Sequence, residues 1–349
     1  MIEDTIKKLS EGAPVEREEI VKILGDTSDE AMEVLRAAAD SVRARAVGDE
    51  IHVRSLVEIS NYCKKNCSYC GLRTNNTSLT RFRMTDDEIL HVVKKEAARG
   101  RKTIVVQSGE DPNLKPDRVC KLIREIKDAA DIAVTLSLGE YSREDYFRFR
   151  EAGADRYLLK HETIDPELYA KLHPDCEYSN RIKCIEYLKE AGFQTGVGIM
   201  VGLPGQSLES IADDILFMKR IDADMAGIGP FIPSPDTPLA GGPTGDLRLT
   251  LNILAVTRLV MPYILLPATT ALGTIHPEGQ RLGFRFGANV IMVNATPPRM
   301  WENYTIYPNR LRPEADEKYQ DRKLQLMIES IGRKISTGFG HSARREERG

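Results

Sequence analysis

Three cysteines lie within one short stretch of the chain, Cys63-Lys-Lys-Asn-Cys67-Ser-Tyr-Cys70. The spacing Cys-x3-Cys-x2-Cys offers three thiolates from a single loop and no fourth. Structural zinc sites usually take four ligands as separated pairs, whereas iron–sulfur clusters accept closely spaced cysteines from one loop. The first histidine after the loop, His91, falls within a helix pattern. The motif therefore predicts a 4Fe-4S cluster with one iron left open for another ligand.

The rest of the composition excludes several classes of protein. The 349 residues carry a formal net charge of -3, so no basic excess marks a face for nucleic acid or anionic lipid. The longest apolar stretches, such as LVMPYILLPA, contain proline and are too short to span a bilayer. Cys120, Cys176 and Cys184 are scattered and make a poor disulfide framework. We expect a cytoplasmic protein with reduced thiols and a small-molecule substrate, without a nucleic-acid or membrane partner.

Short apolar segments rich in β-branched residues alternate with amphipathic segments that have helical spacing. Eight strand candidates begin at residues 53, 103, 132, 155, 195, 225, 264 and 288. Strands that alternate with helices indicate a parallel sheet. The pattern predicts an α/β fold with a (βα)8 TIM-type barrel over residues 49–296, and a doubly wound open sheet is the alternative. Sites in such barrels form at the carboxyl ends of strands, and the cysteine loop follows the first strand.

Signals for helix starts and for the two ends of the chain complete this architecture. Thr85 with Glu88 forms a capping box, and Asp165 followed by Pro166 is typical of a helix start. Residues 1–48 predict an N-terminal helical extension of two helices, broken near residues 25–28. Residues 297–349 predict an irregular C-terminal arm with one helix near residues 322–331. The tail SARREERG is expected to be disordered.

The cysteine loop, with Tyr69 before the third cysteine, resembles that of the radical S-adenosylmethionine (SAM) superfamily. In that family the open iron binds SAM, and one electron breaks a carbon–sulfur bond to give a 5'-deoxyadenosyl radical. Within the superfamily, residues from about 40 to 295 resemble the HydE family of FeFe-hydrogenase maturases. The strings that carry this resemblance are QSGEDP at 107, LSLGE at 136, DRYLLKHET at 155, GIMVGLPGQ at 198, GIGPFIPSPDTPL at 227 and ATTALGT at 268.

The resemblance implies which residues contact SAM. Arg181 and Glu162 are assigned to its amino-acid portion, and a guanidinium and a carboxylate suit the two ends of a zwitterion. The alternative is that these two residues form an ion pair with each other at the surface. Glycines after the fifth strand are expected to let the adenine ring approach the backbone. The full set of cofactor-binding residues implied by the resemblance is Tyr69, Gln107, Ser137, Glu162, Arg181, Met200, Gly202 and Leu203.

The resemblance also implies a substrate cavity inside the barrel, lined by Thr135, Arg156, Lys160, Met225, Thr269, Thr270 and Met292. For the methionines, core packing is an equally good interpretation. Arg156 is expected to line the cavity or to orient Glu162. Lys160 stands where the family typically carries arginine, and the two are not interchangeable at bidentate sites. Side-chain alternation along a strand places His161 and Glu162 on opposite faces, and His161 is assigned a structural role.

By resemblance, the function is maturation of the FeFe-hydrogenase diiron cofactor, with a cysteine-bound iron carbonyl cyanide species as substrate. The partners implied are an electron donor such as ferredoxin or flavodoxin, and companion hydrogenase maturases. One alternative is a HydE-like radical SAM enzyme acting on another small molecule, such as an amino-acid mutase similar to methylornithine synthase. Another is a non-catalytic iron–sulfur carrier. One cluster only is expected, because residues 304–349 contain no cysteine.

Overall fold

In the computed structural model, which describes residues 2–343, parallel strands form a ring with helices packed around it. The order around the sheet is β6-β5-β4-β3-β2-β1-β7, and a short strand, β8, pairs with the start of β1. The strands are β1 (Glu50–Ser60), β2 (Thr103–Ser108), β3 (Ala133–Ser137), β4 (Arg156–Leu158), β5 (Gln194–Val201), β6 (Met225–Pro230), β7 (Val290–Asn294) and β8 (Lys334–Ile335).

A short segment around Pro267 joins the two ends of this sheet. Met225 of β6 bridges Leu265, and Pro267 bridges Val290 of β7. The N–H of Ala268 also donates to the carbonyl of Val290 at 2.9 Å. The seventh predicted strand is therefore reduced to isolated bridges, because proline has no N–H to donate to a regular ladder. The TIM-type α/β fold expected from the sequence is confirmed.

Helices that follow the strands pack their apolar faces onto the outside of the ring. The helices are α1 (Ile2–Ser10), α2 (Arg17–Gly25), α3 (Asp29–Val47), α4 (Asp86–Ala98), α5 (Pro116–Ala129), α6 (Arg143–Glu151), α7 (Pro166–Leu172), α8 (Tyr178–Glu190), α9 (Leu208–Arg220), α10 (Leu247–Val260), α11 (Thr270–Ile275), α12 (Gly279–Arg285), α13 (Pro298–Trp301) and α14 (Glu317–Glu329). Both predicted helix starts are present: Thr85 and Glu88 form a capping box, and Asp165 caps α7. Across residues 2–343, no helix combines the length and the apolar character needed to cross a bilayer.

The N-terminal extension contains three helices rather than the two predicted. The expected break at residues 25–28 separates α2 from α3, and Ser28 caps α3 by accepting from the N–H of Ala31. The additional break separates α1 from α2, where Gly12 has a φ of +82° and Pro14 follows. A left-handed glycine and a nearby proline end a helix. The three helices pack against one another, and α3 packs against α10.

The C-terminal arm ends by closing the amino-terminal side of the barrel. Its helix α14 begins a little earlier than the sequence pattern predicts, and β8 then runs parallel to the start of β1. The predicted disordered tail begins at Ser342, but Ser342 is buried and its N–H donates to Gln194 Oε1 at 2.9 Å. That prediction is therefore wrong for Ser342, and residues 344–349 lie outside the described residues.

Candidate functional site

The cysteine loop lies at the carboxyl end of β1 and is held by hydrogen bonds from several neighbouring segments. The N–H of Lys64 donates to the carbonyl of Glu110, and the N–H of Ser68 donates to that of Leu172. The Arg81 guanidinium donates to carbonyls on both sides of the loop, those of Asn61, Leu72, Arg73 and Asn76. A loop held at this many points keeps its three thiols in a fixed relation without a disulfide.

The three thiols are half-buried, and their surroundings disfavour the charged form in the absence of a metal. Burial raises the pKa of Cys63, Cys67 and Cys70, and the neighbouring thiols add to the rise at Cys67 and Cys70, so that the pKa of Cys70 reaches about 12. Within residues 2–343, no three His, Cys, Asp or Glu side chains converge as a single-ion site requires. Three thiols from one loop are the donors that an iron–sulfur cluster takes, and the charge of its irons would stabilise them as thiolates.

A network of two acids and two bases lies behind the cysteine loop. Arg181 Nε donates to Glu140 Oε1 at 2.7 Å, and Lys65 Nζ lies 3.2 Å from Glu140 Oε2 and 3.7 Å from Glu110 Oε2. None of these side chains is more than 15% exposed. Burial alone would raise the pKa of Glu140, but Arg181 and Lys65 hold this pKa below its ordinary value. At Glu110 the effect of burial is larger, and the pKa is raised. The network fixes Arg181. Its Nη2 lies 3.8 Å from Glu110 Oε1, beyond hydrogen-bond distance, so the N–H groups of Nη2 can still donate to a ligand.

Glu162 does not pair with Arg181. Its Oε2 lies 3.0 Å from Lys160 Nζ, and Arg181 Nη1 donates instead to the carbonyl of Lys160 at 2.6 Å. Both Glu162 and Arg181 are buried. The alternative of a mutual surface ion pair is therefore wrong. Burial raises the pKa of Tyr69 and Cys70, and the Glu162 carboxylate adds to the rise at both groups.

Three of the predicted cofactor-binding residues meet in one apolar cluster. Tyr69, Met200 and Leu203 pack with Leu168, Leu172, Phe231 and Leu239. Gly202, which precedes Leu203, has a φ of +86°, and a Cβ on it would lie 2.6 Å from the Cα of Gly245. This glycine is thus required by a turn and by a close approach of two backbone segments. The resemblance had attributed the glycines here to contact with adenine.

Gln107 and Ser137 end two adjacent strands, and their Cα atoms are register partners. Gln107 Nε2 donates to the hydroxyl of Tyr304 at 3.2 Å. Tyr304 is buried, and burial raises its pKa. The C-terminal arm therefore contributes a side chain to the mouth of the barrel beside two of the predicted SAM residues.

Two of the predicted substrate residues, Thr270 and Met292, line a cavity of about 380 Å3. Leu56 and Asn294 also line it, and residues 310–314 of the arm form part of its wall. Thr269 caps α11, where its Oγ1 accepts from the N–H of Leu272 at 3.4 Å. The predicted substrate residues near β7 are thus adjacent in space, and Thr269 has a local structural role as well.

Of the other predicted substrate residues, Lys160 lies beside Glu162, whereas Arg156, Thr135 and Met225 lie near the amino-terminal end of the barrel. Arg156 donates to the carbonyl of Phe339 at 2.5 Å and lies 3.0 Å from His341 Nδ1, so it binds the C-terminal segment and does not contact Glu162. Thr135 Oγ1 lies 3.5 Å from Arg156 Nη1. Met225 packs in a small cluster with Leu265 and Val290. The end of the arm covers Arg156 here, and the assignment of these residues to the substrate stays a prediction.

The sequence analysis did not single out the acids that hold Arg181, nor the partner of Tyr69. Glu110 and Glu140 each follow a strand by two or three residues, within QSGEDP and LSLGE. Their position at strand ends was the signal that could have identified them. His173 accepts a hydrogen bond of 3.0 Å from the Tyr69 hydroxyl through Nε2, while its Nδ1 lies 3.2 Å from the carbonyl of Tyr169. Nothing in the spacing of His173 indicates this contact.

Comparisons with known proteins agree with the geometry. The model of the radical SAM superfamily matches residues 57–218. The chain is 50% identical over 308 residues to the [FeFe] hydrogenase maturase subunit HydE of Thermotoga maritima, a match that covers 88% of each chain. It is 30% identical over 327 residues to the 3-methylornithine synthase of Methanosarcina acetivorans, covering 93% of this chain and 91% of that protein.

Solved structures show the same architecture. The crystal structure of methylornithine synthase superposes with a TM-score of 0.85 at 28% identity, covering 98% of this chain and 99% of that one. A crystal structure of the maturase HydG superposes with a TM-score of 0.84 at 19% identity, covering 99% of this chain and 79% of that one. The HydG likeness concerns the fold alone.

Proposed function

This chain belongs to the HydE family of radical SAM enzymes, and on that premise we propose that it cleaves SAM at one 4Fe-4S cluster bound by Cys63, Cys67 and Cys70. The proposal rests on the loop after β1, which holds three half-buried thiols, and on two buried charged side chains that affect the pKa of these thiols. Burial raises the pKa of Cys67 and Cys70, Arg181 opposes the rise at Cys67, and Glu162 adds to the rise at Cys70. When bound, the cluster supplies the electron that breaks a carbon–sulfur bond of SAM. A non-catalytic carrier would have no use for groups suited to a zwitterion.

The side chains around the loop have separate tasks in this proposal. Arg181, fixed by Glu140, presents its outer N–H groups to the SAM carboxylate, and Glu162 accepts from the ammonium group. Tyr69, Met200 and Leu203 form an apolar wall that excludes water from the nucleoside side of the pocket. Gln107 and Ser137 line the pocket where β2 and β3 end. The chain thereby binds and orients SAM while the loop fixes the thiols.

The substrate that we propose is a small iron complex, a cysteine-bound iron carbonyl cyanide species, processed toward the diiron cofactor of an FeFe-hydrogenase. The likeness to the [FeFe] hydrogenase maturase subunit HydE of Thermotoga maritima supports this role. The cavity of about 380 Å3 lined by Thr270 and Met292 is large enough for such a molecule. All six cysteines are free, as expected in the cytoplasm, where ferredoxin or flavodoxin would donate the electron. Companion maturases would supply the substrate and take up the product.

A reconstituted maturation assay tests this role. Apo-hydrogenase and the companion maturases are incubated anaerobically with SAM and a reductant, together with this protein or its Cys70→Ala variant, and hydrogen evolution is measured. We expect hydrogen evolution only with the unsubstituted protein. Equal activation by the Cys70→Ala variant, or no activation by the unsubstituted protein despite a full cluster and SAM cleavage, would contradict the proposed role.

The second candidate function is a mutase that acts on an amino acid. Its support is the likeness to methylornithine synthase, which spans nearly the whole chain, together with Lys160, which the HydE family typically replaces by arginine. The test is incubation of the reconstituted protein with SAM, a reductant and a panel of free amino acids. Formation of an isomer of unchanged mass, coupled to SAM cleavage, would establish this function. Activation of apo-hydrogenase without any such isomer would exclude it.

A further inference from the structure

Glu162 has a backbone conformation that few residues other than glycine adopt. Its φ is +64°, in the left-handed region where a Cβ crowds the following carbonyl. The residue follows β4 and forms an isolated parallel bridge with Ile199 of β5, and its N–H donates to the carbonyl of Gly198 at 3.0 Å. A conformation of this kind persists only where the surrounding structure holds it.

The preceding residue, His161, points to the opposite face and is fully buried between β5 and α9. Its ring contacts Phe217 edge-on with 5.0 Å between centroids, and its Nδ1 accepts from the N–H of Gly198 at 3.4 Å. Because Nδ1 accepts, we assign the ring proton to Nε2. Nε2 lies 3.3 Å from Asp214 Oδ1, although the two groups are not aligned for a hydrogen bond.

Asp214 of α9 is also fully buried, and it contacts the chain on both sides of Glu162. The same Oδ1 that approaches His161 accepts from the N–H of Ile164 at 2.7 Å. One carboxylate oxygen therefore contacts the residue before Glu162 and the second residue after it. Together with the Gly198 contacts of residues 161 and 162, this fixes the segment at residues 161, 162 and 164.

We propose that His161 and Asp214 are positioning residues that hold Glu162 in its left-handed conformation, so that its carboxylate faces the cysteine loop. This inference rests on the proposed role of Glu162 toward the SAM ammonium group. Neither residue touches SAM in this proposal. Glu162 Oε2 contacts Lys160 Nζ at 3.0 Å, whereas Asp214 contacts His161 and the N–H of Ile164, so the positioning pair is separate from the binding groups.

The first part of the test compares variants at two adjacent positions of α9. Asp214→Ala removes the acceptor for Ile164, whereas Asp214→Asn keeps an oxygen there. Asp213→Asn is the matched control, because Asp213 is 38% exposed and pairs with Arg17 at 2.7 Å, away from Glu162. The dissociation constant of SAM is measured by equilibrium dialysis on reconstituted protein, with iron content and the unfolding midpoint measured in parallel.

We expect Asp214→Ala to raise the dissociation constant at least about tenfold, which corresponds to about 1.4 kcal/mol. Asp214→Asn should stay within about threefold of the unsubstituted protein, and Asp213→Asn should not change it. The iron content and the EPR spectrum of the reduced cluster without SAM should be the same in all variants. Loss of iron in step with loss of SAM affinity would overturn the proposal.

A double-mutant cycle with Glu162→Gln separates positioning from other effects. If Asp214 acts through Glu162, Asp214→Ala should cost no further SAM affinity in the Glu162→Gln background. An equal loss in both backgrounds would overturn the positioning role. Unchanged SAM binding by Glu162→Gln alone would instead refute the proposed role of Glu162. If Asp214→Ala does not fold, His161→Phe enters the same cycle, because it keeps the ring beside Phe217 and removes both nitrogens.

Discussion

Replacement of Arg181 by lysine should weaken SAM binding much more than it lowers cluster content. The guanidinium uses Nε for Glu140 at 2.7 Å and Nη1 for the carbonyl of Lys160 at 2.6 Å, and its outer N–H groups remain for a carboxylate. An ammonium group has fewer donors and no planar fork. A lysine that keeps both contacts with the protein would therefore lose one of the two hydrogen bonds to the SAM carboxylate.

The expected change in the dissociation constant follows from the free energy that one such hydrogen bond contributes. A hydrogen bond to a charged group contributes about 1.5–3 kcal/mol net, so the dissociation constant of SAM should rise roughly ten- to hundredfold at 25 °C. The effect should persist at moderate salt, because Arg181 is 9% exposed and little screened. Iron and sulfide content should stay near that of the unsubstituted protein.

The assay is equilibrium dialysis with labelled SAM on anaerobically reconstituted protein, with iron and sulfide determined on the same samples. Arg143→Lys is a matched control, because Arg143 is 58% exposed and pairs with Glu190 on the surface. It should bind SAM normally. Parallel loss of iron and SAM affinity in the Arg181→Lys variant would refute the reasoning and would assign Arg181 a structural role.

Three further predictions concern other parts of the molecule. Cys67→Ala should abolish SAM cleavage, whereas Cys120→Ala, which changes a buried thiol on α5, should leave it intact. Burial, with a smaller contribution from Arg181, lowers the pKa of His173 from 6.5 to about 4. As the pH falls, His173 is therefore protonated in the unfolded chain at a higher pH than in the folded one, which favours unfolding. The apo-protein should lose up to about 3 kcal/mol of stability between about pH 6.5 and pH 4. Truncation of the chain after Gly338 removes the carbonyl and ring acceptors of Arg156. The free energy of unfolding, measured in urea, should then be lower by about 3 kcal/mol.

Each of these predictions has a result that would contradict it. Retained cleavage in Cys67→Ala would remove that thiol from the ligand set. In thermal unfolding at several pH values, His173→Gln should show a flatter pH profile than the unsubstituted apo-protein, and an identical profile would assign the pH dependence to other groups. An unchanged urea midpoint after truncation at Gly338 would show that the end of the arm does not stabilise the barrel.

The sequence predicts those parts of the fold that depend on local pattern. Seven of the eight predicted strands, the capping box at Thr85 and the start of α7 at Pro166 follow from spacing and residue type, and these are present. The segment at Pro267 was harder to predict, because its apolar run resembles a strand although proline cannot complete the ladder. The extra N-terminal break near Gly12 also has a local signal, the glycine and the proline that follows it. The helical spacing of the apolar residues made this break hard to recognise. The three-part domain division stays a prediction.

Contacts across the barrel account for what the sequence did not predict about the site. Spacing alone cannot show that Glu140 holds Arg181, because the loop after β3 and helix α8 meet only in the folded barrel. Arg156 lies deep in the barrel and binds the end of the arm. These two segments are far apart in the sequence, so spacing does not predict their contact. The roles of the three cysteines and of the residues assigned to SAM stay predictions that rest on family likeness and on the geometry described above.

The most direct test of the account is SAM cleavage by the protein itself. After anaerobic reconstitution with iron and sulfide and reduction with dithionite, 5'-deoxyadenosine and methionine are quantified, with Cys70→Ala as control and candidate substrates added in turn. The account predicts both products from the unsubstituted protein and neither from Cys70→Ala. A fully assembled cluster that yields neither product under any of these conditions would contradict it.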